Sequence, residues 1–269
     1  MKYMTFNSSC AYAGVANMLE RYGVDTDDRD IALNMKLPYL FACENGVYLA
    51  GPMLQSARWF NFYLNTIGFE MTETEVPADQ VPQFLVRQKT AMLGFQMDES
   101  EKHAVVYTGC QDGKLVFINN KWETTDVPEQ ITLTEAALLE RIQKSVMIAT
   151  LEKINPRETD IFSKMKASTH VMRQNLSDIQ ELCRGRKTVG VLRTKLNTLF
   201  RPLLLDGITM LQLLEENELA QRFTALQRGF LNALRQEPDT VVTLSDYLCM
   251  EELSAVTEEY IHLIKQVTK

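Results

Sequence analysis

The chain has 269 residues, 45% hydrophobic and 23% charged, with a formal charge of -7; this composition matches soluble globular proteins and excludes disordered and collagen-like classes. Its length suits one large domain or two ordinary ones, and its acidic balance offers no basic stripe for phosphates, so nucleic acid is excluded as a partner. Five cysteines, Cys10, Cys43, Cys110, Cys183 and Cys249, are scattered without a C-x-x-C pair, which fits a reducing compartment rather than a disulfide framework or a zinc knuckle.

At the N-terminus Asn7, Ser8 and Ser9 interrupt any apolar run that could serve as a signal-peptide core. No uncharged apolar stretch has the length of a membrane helix, since the best candidate is broken by Arg201, Pro202 and Asp206. The sequence therefore predicts a cytoplasmic protein with no membrane partner.

From Ala11 to Tyr22 the residues Ala13, Val15, Ala16, Met18, Leu19 and Tyr22 recur at helical spacing, with Ser8 or Ser9 as a cap and Gly23 as the stop. Cys10 opens this helix. A short acidic helix follows through Asp30 and Leu33, and a third, with an aromatic face, runs from Leu54 to Ile67 and closes at Gly68. The pattern then changes, with a helical turn from Pro82 to Gln88 and an apolar strand from Ala91 to Gln96. His103 to Gly109 and Lys114 to Asn119 are β-rich runs joined through Asp112-Gly113, a tight hairpin turn. A last strand, Val146 to Leu151, closes the sheet before Asn155-Pro156, where the chain resists helix and a domain boundary is expected.

Beyond Pro156 the periodicity is helical throughout, near Asp160 to Cys183, Val189 to Leu214, Glu218 to Gln236 and Leu244 to Lys269, with Pro202 and Gly207 kinking the second piece. The expected architecture is an α+β domain over residues 1–155 followed by an all-α bundle over 156–269.

A thiol gains nucleophilicity when its pKa falls, as it does at a helix N-terminus or beside an imidazolium. Cys10 has the first setting, and His103, at the start of a strand, can supply the second. Asn119, at the far end of the hairpin, falls near His103, where its amide oxygen could orient the ring. Each has a plainer reading: a buried core cysteine, a surface histidine after a charged run, and a turn formed by Asn119 and Asn120. The combination in this chain order favours chemistry. His170 has no acidic or thiol partner at ligand spacing, and His262, near the end of the chain, is read as a similar solvated or core imidazole, so neither a metal nor a cofactor is implied. Cys43, followed by Glu44-Asn45-Gly46, is the other thiol expected at the surface.

The stretch NSSCAYAGVANMLERYGVDTDDRDIA (7–32) resembles the N-terminal helix of papain-like cysteine peptidases that cleave double-glycine leaders, and HAVVYTGCQDGKLVFIN (103–119) is similar to that family's second motif. The resemblance covers about the first 150 residues. It implies a papain-like fold with Cys10 as nucleophile, His103 as base and Asn119 as the orienting residue. Asn7 stands in for the oxyanion-hole glutamine that the family carries upstream of its cysteine. A second resemblance, through GVYLAGPML (46–54) and ELAQRFTALQRGFLNAL (218–234), is to the acyltransferase family of butirosin biosynthesis, which pairs a papain-like domain with a helical region.

These readings imply a thiol hydrolase that cleaves a peptide or other amide through an acyl-enzyme, without cofactor or metal. The second family implies instead acyl transfer from a carrier-protein thioester to an amine, with an acyl carrier protein as partner. A third possibility is an inactive papain-like module that only binds.

Overall fold

The computed structural model describes residues 1–6, 10–96 and 102–268. It is an α+β protein whose contacts divide into two compact units, Met1–Met35 with Gln55–Thr159, and Lys36–Leu54 with Asp160–Lys269. The expected contiguous halves thus differ from the contact partition over 36–54, an early segment that packs with late ones.

In the first unit α1 (Cys10–Glu20) and α2 (Asp28–Asn34) precede α3 (Ala57–Leu64). Gly23 ends the first helical stretch in a left-handed conformation at φ 81°, which glycine adopts without strain. Asp27 caps α2 by accepting from the Asp30 N–H at 2.7 Å. The remaining elements are β3 (Phe69–Pro77), α4 (Val81–Val86), β4 (Ala91–Gln96), β5 (Lys102–Gln111), β6 (Lys114–Asn119), β7 (Gln130–Leu133), α5 (Glu135–Leu139) and β8 (Ser145–Lys153). The described strands form one antiparallel sheet in the order β3-β8-β4-β5-β6-β7.

Alternation divides this sheet into two faces. One carries Leu93, Phe95, Val105, Tyr107, Leu115 and Phe117, packed with Val81 and Leu85 of α4 and Leu138 of α5. The other carries Met92 and Val106 and takes α1. Gly14 makes that contact close: a Cβ there would lie 2.4 Å from the Met92 sulfur and 2.8 Å from the Asn120 amide nitrogen.

In the second unit β1 (Phe41–Glu44) and β2 (Val47–Ala50) form a hairpin. Its turn residues Asn45 and Gly46 have φ of 52° and 77°, the type I′ signature. The helical part comprises α6 (Ile161–Cys183), α7 (Val189–Lys195), α8 (Gly207–Leu213), α9 (Asn217–Leu234) and α10 (Met250–Val267). Between α7 and α8 the chain runs through two π-helical turns, Leu196–Phe200 and Pro202–Asp206. Pro202 has no N–H to donate and Gly207 follows, so the kinks expected there take the form of widened turns. The all-α expectation needs correction. Besides the hairpin, β9 (Arg186–Thr188) pairs antiparallel with β10 (Val241–Thr243). Three residues per strand are too few to show an alternation in the sequence.

Candidate functional site

What places Cys10 is a set of buried polar contacts around the segment that precedes it. The backbone N–H of Thr5 donates to Asp28 Oδ2 at 2.7 Å and its hydroxyl to Oδ1 at 2.8 Å, with Asp28 fully buried. The N–H of Met4 donates to the Lys121 carbonyl at 2.9 Å. Asn17, buried in α1, accepts from the Lys2 N–H at 2.7 Å and donates to the Lys2 carbonyl at 2.9 Å. Buried amides held this way fix position because breaking one leaves an unsatisfied group.

Asn17 also donates to Asn120 Oδ1 at 3.0 Å, and Asn120 Nδ2 donates to the Ala104 carbonyl at 3.0 Å. One turn further along α1, Arg21 donates to the Thr108 carbonyl at 3.2 Å. Thus α1 runs alongside β5 in the same direction, with Asn17 at the level of Ala104 and Arg21 at the level of Thr108. Cys10, Gly14 and Asn17 share one helix face by their spacing, and at about 1.5 Å rise per residue Cys10 lies roughly 6 Å upstream of Gly14. Cys10 thus stands at the end of α1 that lies toward the start of β5. Cys10 is half-buried.

The Nε2 of His103 hydrogen-bonds the backbone carbonyl of Asn120. A carbonyl oxygen can only accept, so Nε2 carries the hydrogen and a neutral ring keeps its lone pair on Nδ1. Strand alternation sets His103, opposite Phe95, in the row of Val105, on the face of the sheet away from the one that takes α1. The ring meets the Asn120 carbonyl just past the end of β6.

Asn119 does not take the position the sequence suggests. It pairs with Val105, its Nδ2 donates to the Pro128 carbonyl at 3.0 Å, and its Oδ1 is buried without a partner. The amide of Asn119 therefore makes no hydrogen bond to the imidazole, and the neighbouring Asn120 backbone holds the ring. A bulge in β5 between Tyr107 and Gly109 inserts one residue and sets Asn119 opposite Val105 rather than Val106. Gly109, at φ 144°, marked it in the sequence. Asn7 lies outside the described residues, as do Ser8 and Ser9.

The other thiols sit differently. Cys43, Cys110 and Cys249 are exposed and Cys183 is buried, where burial pushes its thiol up to about 11. Cys43 lies on β1 rather than in a loop. Among the described residues no group of three or more His, Cys, Asp or Glu gathers as a metal site, and no helix is long and apolar enough to cross a membrane.

No family model matches the chain, and no curated protein is similar to it. Among solved structures, the peptidase domain of Streptococcus ComA, a bifunctional ABC transporter of a quorum-sensing pathway, aligns with 55% of this chain and 96% of its own. The identity is 10% and the TM-score 0.37.

Proposed function

We propose that the first unit is a thiol-dependent amide hydrolase in which Cys10 is the nucleophile and His103 the base. The observation that supports this reading is the parallel course of α1 and β5, tied at Asn17–Asn120 and Arg21–Thr108, with Cys10 and His103 at the starts of the two elements. The chemistry requires the His103 ring to reach Cys10 around the end of the sheet, since its row faces away from α1. In this reading Nδ1 of His103 takes the thiol proton, and the sulfur attacks the acyl carbon to form a thioester. The protonated ring then returns the proton to the departing amine, and water hydrolyses the acyl-enzyme. The Asn120 carbonyl holds the ring through Nε2, the orienting role expected of Asn119. The N–H groups at the start of α1 supply the oxyanion donors.

The test is site-resolved alkylation. At about pH 6 to 7, iodoacetamide is expected to modify Cys10 faster than the exposed Cys43, Cys110 and Cys249, and His103→Ala should slow Cys10 alone by about tenfold or more. An activated acyl thioester should leave its acyl group on Cys10, read by peptide mass spectrometry. Cys10 labelling at the rate of the exposed thiols, or independently of His103, overturns the proposal.

A further inference from the structure

Within the second unit a cleft of about 380 Å³ opens between four separate stretches of chain. The β1–β2 hairpin contributes Tyr48, α6 contributes Asp178 and Leu182, β9 contributes Lys187, and the junction of α7 with the first π turn contributes Lys195 and Leu199. Volumes of this order hold small organic molecules.

The acids at this cleft are already engaged. Asp178 accepts from the Tyr48 hydroxyl at 2.6 Å and from Gln174 Nε2 at 2.8 Å, and burial together with that carboxylate pushes the Tyr48 phenol above its usual range, so it stays a donor. Glu181, also on the rim, pairs with Arg184. The lysines are not engaged: neither the Lys187 nor the Lys195 side chain has a hydrogen-bond or ion-pair partner among the described residues. Among the described residues the two lysines are thus the charged groups of the cleft whose hydrogen-bonding capacity is open, over an apolar floor of Leu182, Leu199 and the Tyr48 ring.

A second observation is independent of charge. The wall that carries Leu199 is π-helical, a geometry that is rare and recurs at functional sites. It is held by Asn175, 1% exposed, whose Nδ2 donates to the Leu199 carbonyl at 2.8 Å while its Oδ1 is buried without a partner. The fold thus accepts a widened turn and an unsatisfied buried oxygen to set this stretch against the cleft, and such local costs collect at ligand sites.

We infer that this cleft binds a small organic anion, a carboxylate or a phosphate monoester, with its acid group between Lys187 and Lys195 and a short apolar chain over Leu182 and Leu199. Both acids meet lysine by the same charge-assisted hydrogen bonds. The site is separate from Cys10 and His103 and does not rest on their chemistry.

Calorimetric titration of the full chain at low salt with valerate, n-butyl phosphate, inorganic phosphate and the neutral pentanamide tests it. Valerate or butyl phosphate is expected to bind one to one in the millimolar range or tighter, weakened about tenfold by Lys187→Gln and by Lys195→Gln. Lys166→Gln, on the exposed face of α6, should leave binding unchanged, and circular dichroism should show all three variants folded. The tighter of the two organic ligands identifies the acid group. No binding by either, equal binding of pentanamide or of inorganic phosphate, or an equal loss in Lys166→Gln, overturns the inference.

Discussion

Asp206 makes the second unit less stable as pH rises through the mildly acidic range, and Asp206→Asn is expected to remove that dependence. The residue is 1% exposed and pairs with Arg201 Nε at 2.9 Å. Burial pushes its carboxyl up from 3.8 to about 6, and the Arg201 guanidinium offsets only part of that. Because the folded value lies above the unfolded one, the contribution is fully present below about pH 4 and is lost as pH rises through about 6. At about 1.36 kcal/mol per tenfold change in proton affinity, the whole effect is on the order of 3 kcal/mol. Asparagine keeps the shape and the oxygen facing Arg201 but does not titrate. Urea denaturation of both proteins across about pH 4 to 8 should show the wild type losing roughly 2 to 3 kcal/mol relative to the variant, with a constant difference above about pH 7. Far-UV circular dichroism is the probe, because both tryptophans, Trp59 and Trp122, lie in the first unit. A difference that is flat with pH, or that rises, refutes the reasoning.

Two glycines give further tests. Gly14→Ala places a methyl against the Met92 sulfur and the pinned Asn120 amide, so although alanine is the better helix former by about 1 kcal/mol, the variant should lose about 1 to 3 kcal/mol by thermal denaturation. Displacing α1 from Asn120 should also slow Cys10 alkylation, and an unchanged rate together with raised stability would contradict the close packing. Gly229→Ala, in α9, brings a Cβ to 2.0 Å from the Tyr247 carbonyl oxygen. Backbone cannot yield as a side chain does, so a loss of about 3 kcal/mol or more in urea denaturation is expected, and a neutral substitution would refute the contact.

Much of the helical content was legible because 3.6-residue periodicity and glycine stops agree, as at Cys10–Glu20 with Gly23. The β5–β6 hairpin was legible from Asp112-Gly113, whose φ angles of 50° and 72° are those the turn requires. The strand Phe69–Pro77 was hidden because it lies at a sheet edge and exposes Thr72 to Glu75, charged as edges commonly are. The β1–β2 hairpin did carry its signal, Asn45-Gly46, between two short apolar runs. At the site, Cys10 and His103 stood out as residue types at element starts, whereas Asn17, Asp28 and Asn120 did not. Their roles come from contacts across 15 to 103 positions of sequence.

The discontinuity of the second unit has a consequence in time. Residues 36–54 leave the ribosome before any of their partners from Asp160 onward. The Pro38 carbonyl is completed by the Tyr260 hydroxyl, 222 residues later, and Tyr260 is itself fully buried. At about 5 to 20 residues per second, the hairpin waits roughly 11 to 44 s for that contact. During that interval a two-stranded ribbon, marginal by itself, lacks the later segments of its own unit. A chain cut after Asn155 would stay in that state permanently, so separating the units calls for removal or replacement of 36–54 as well as truncation.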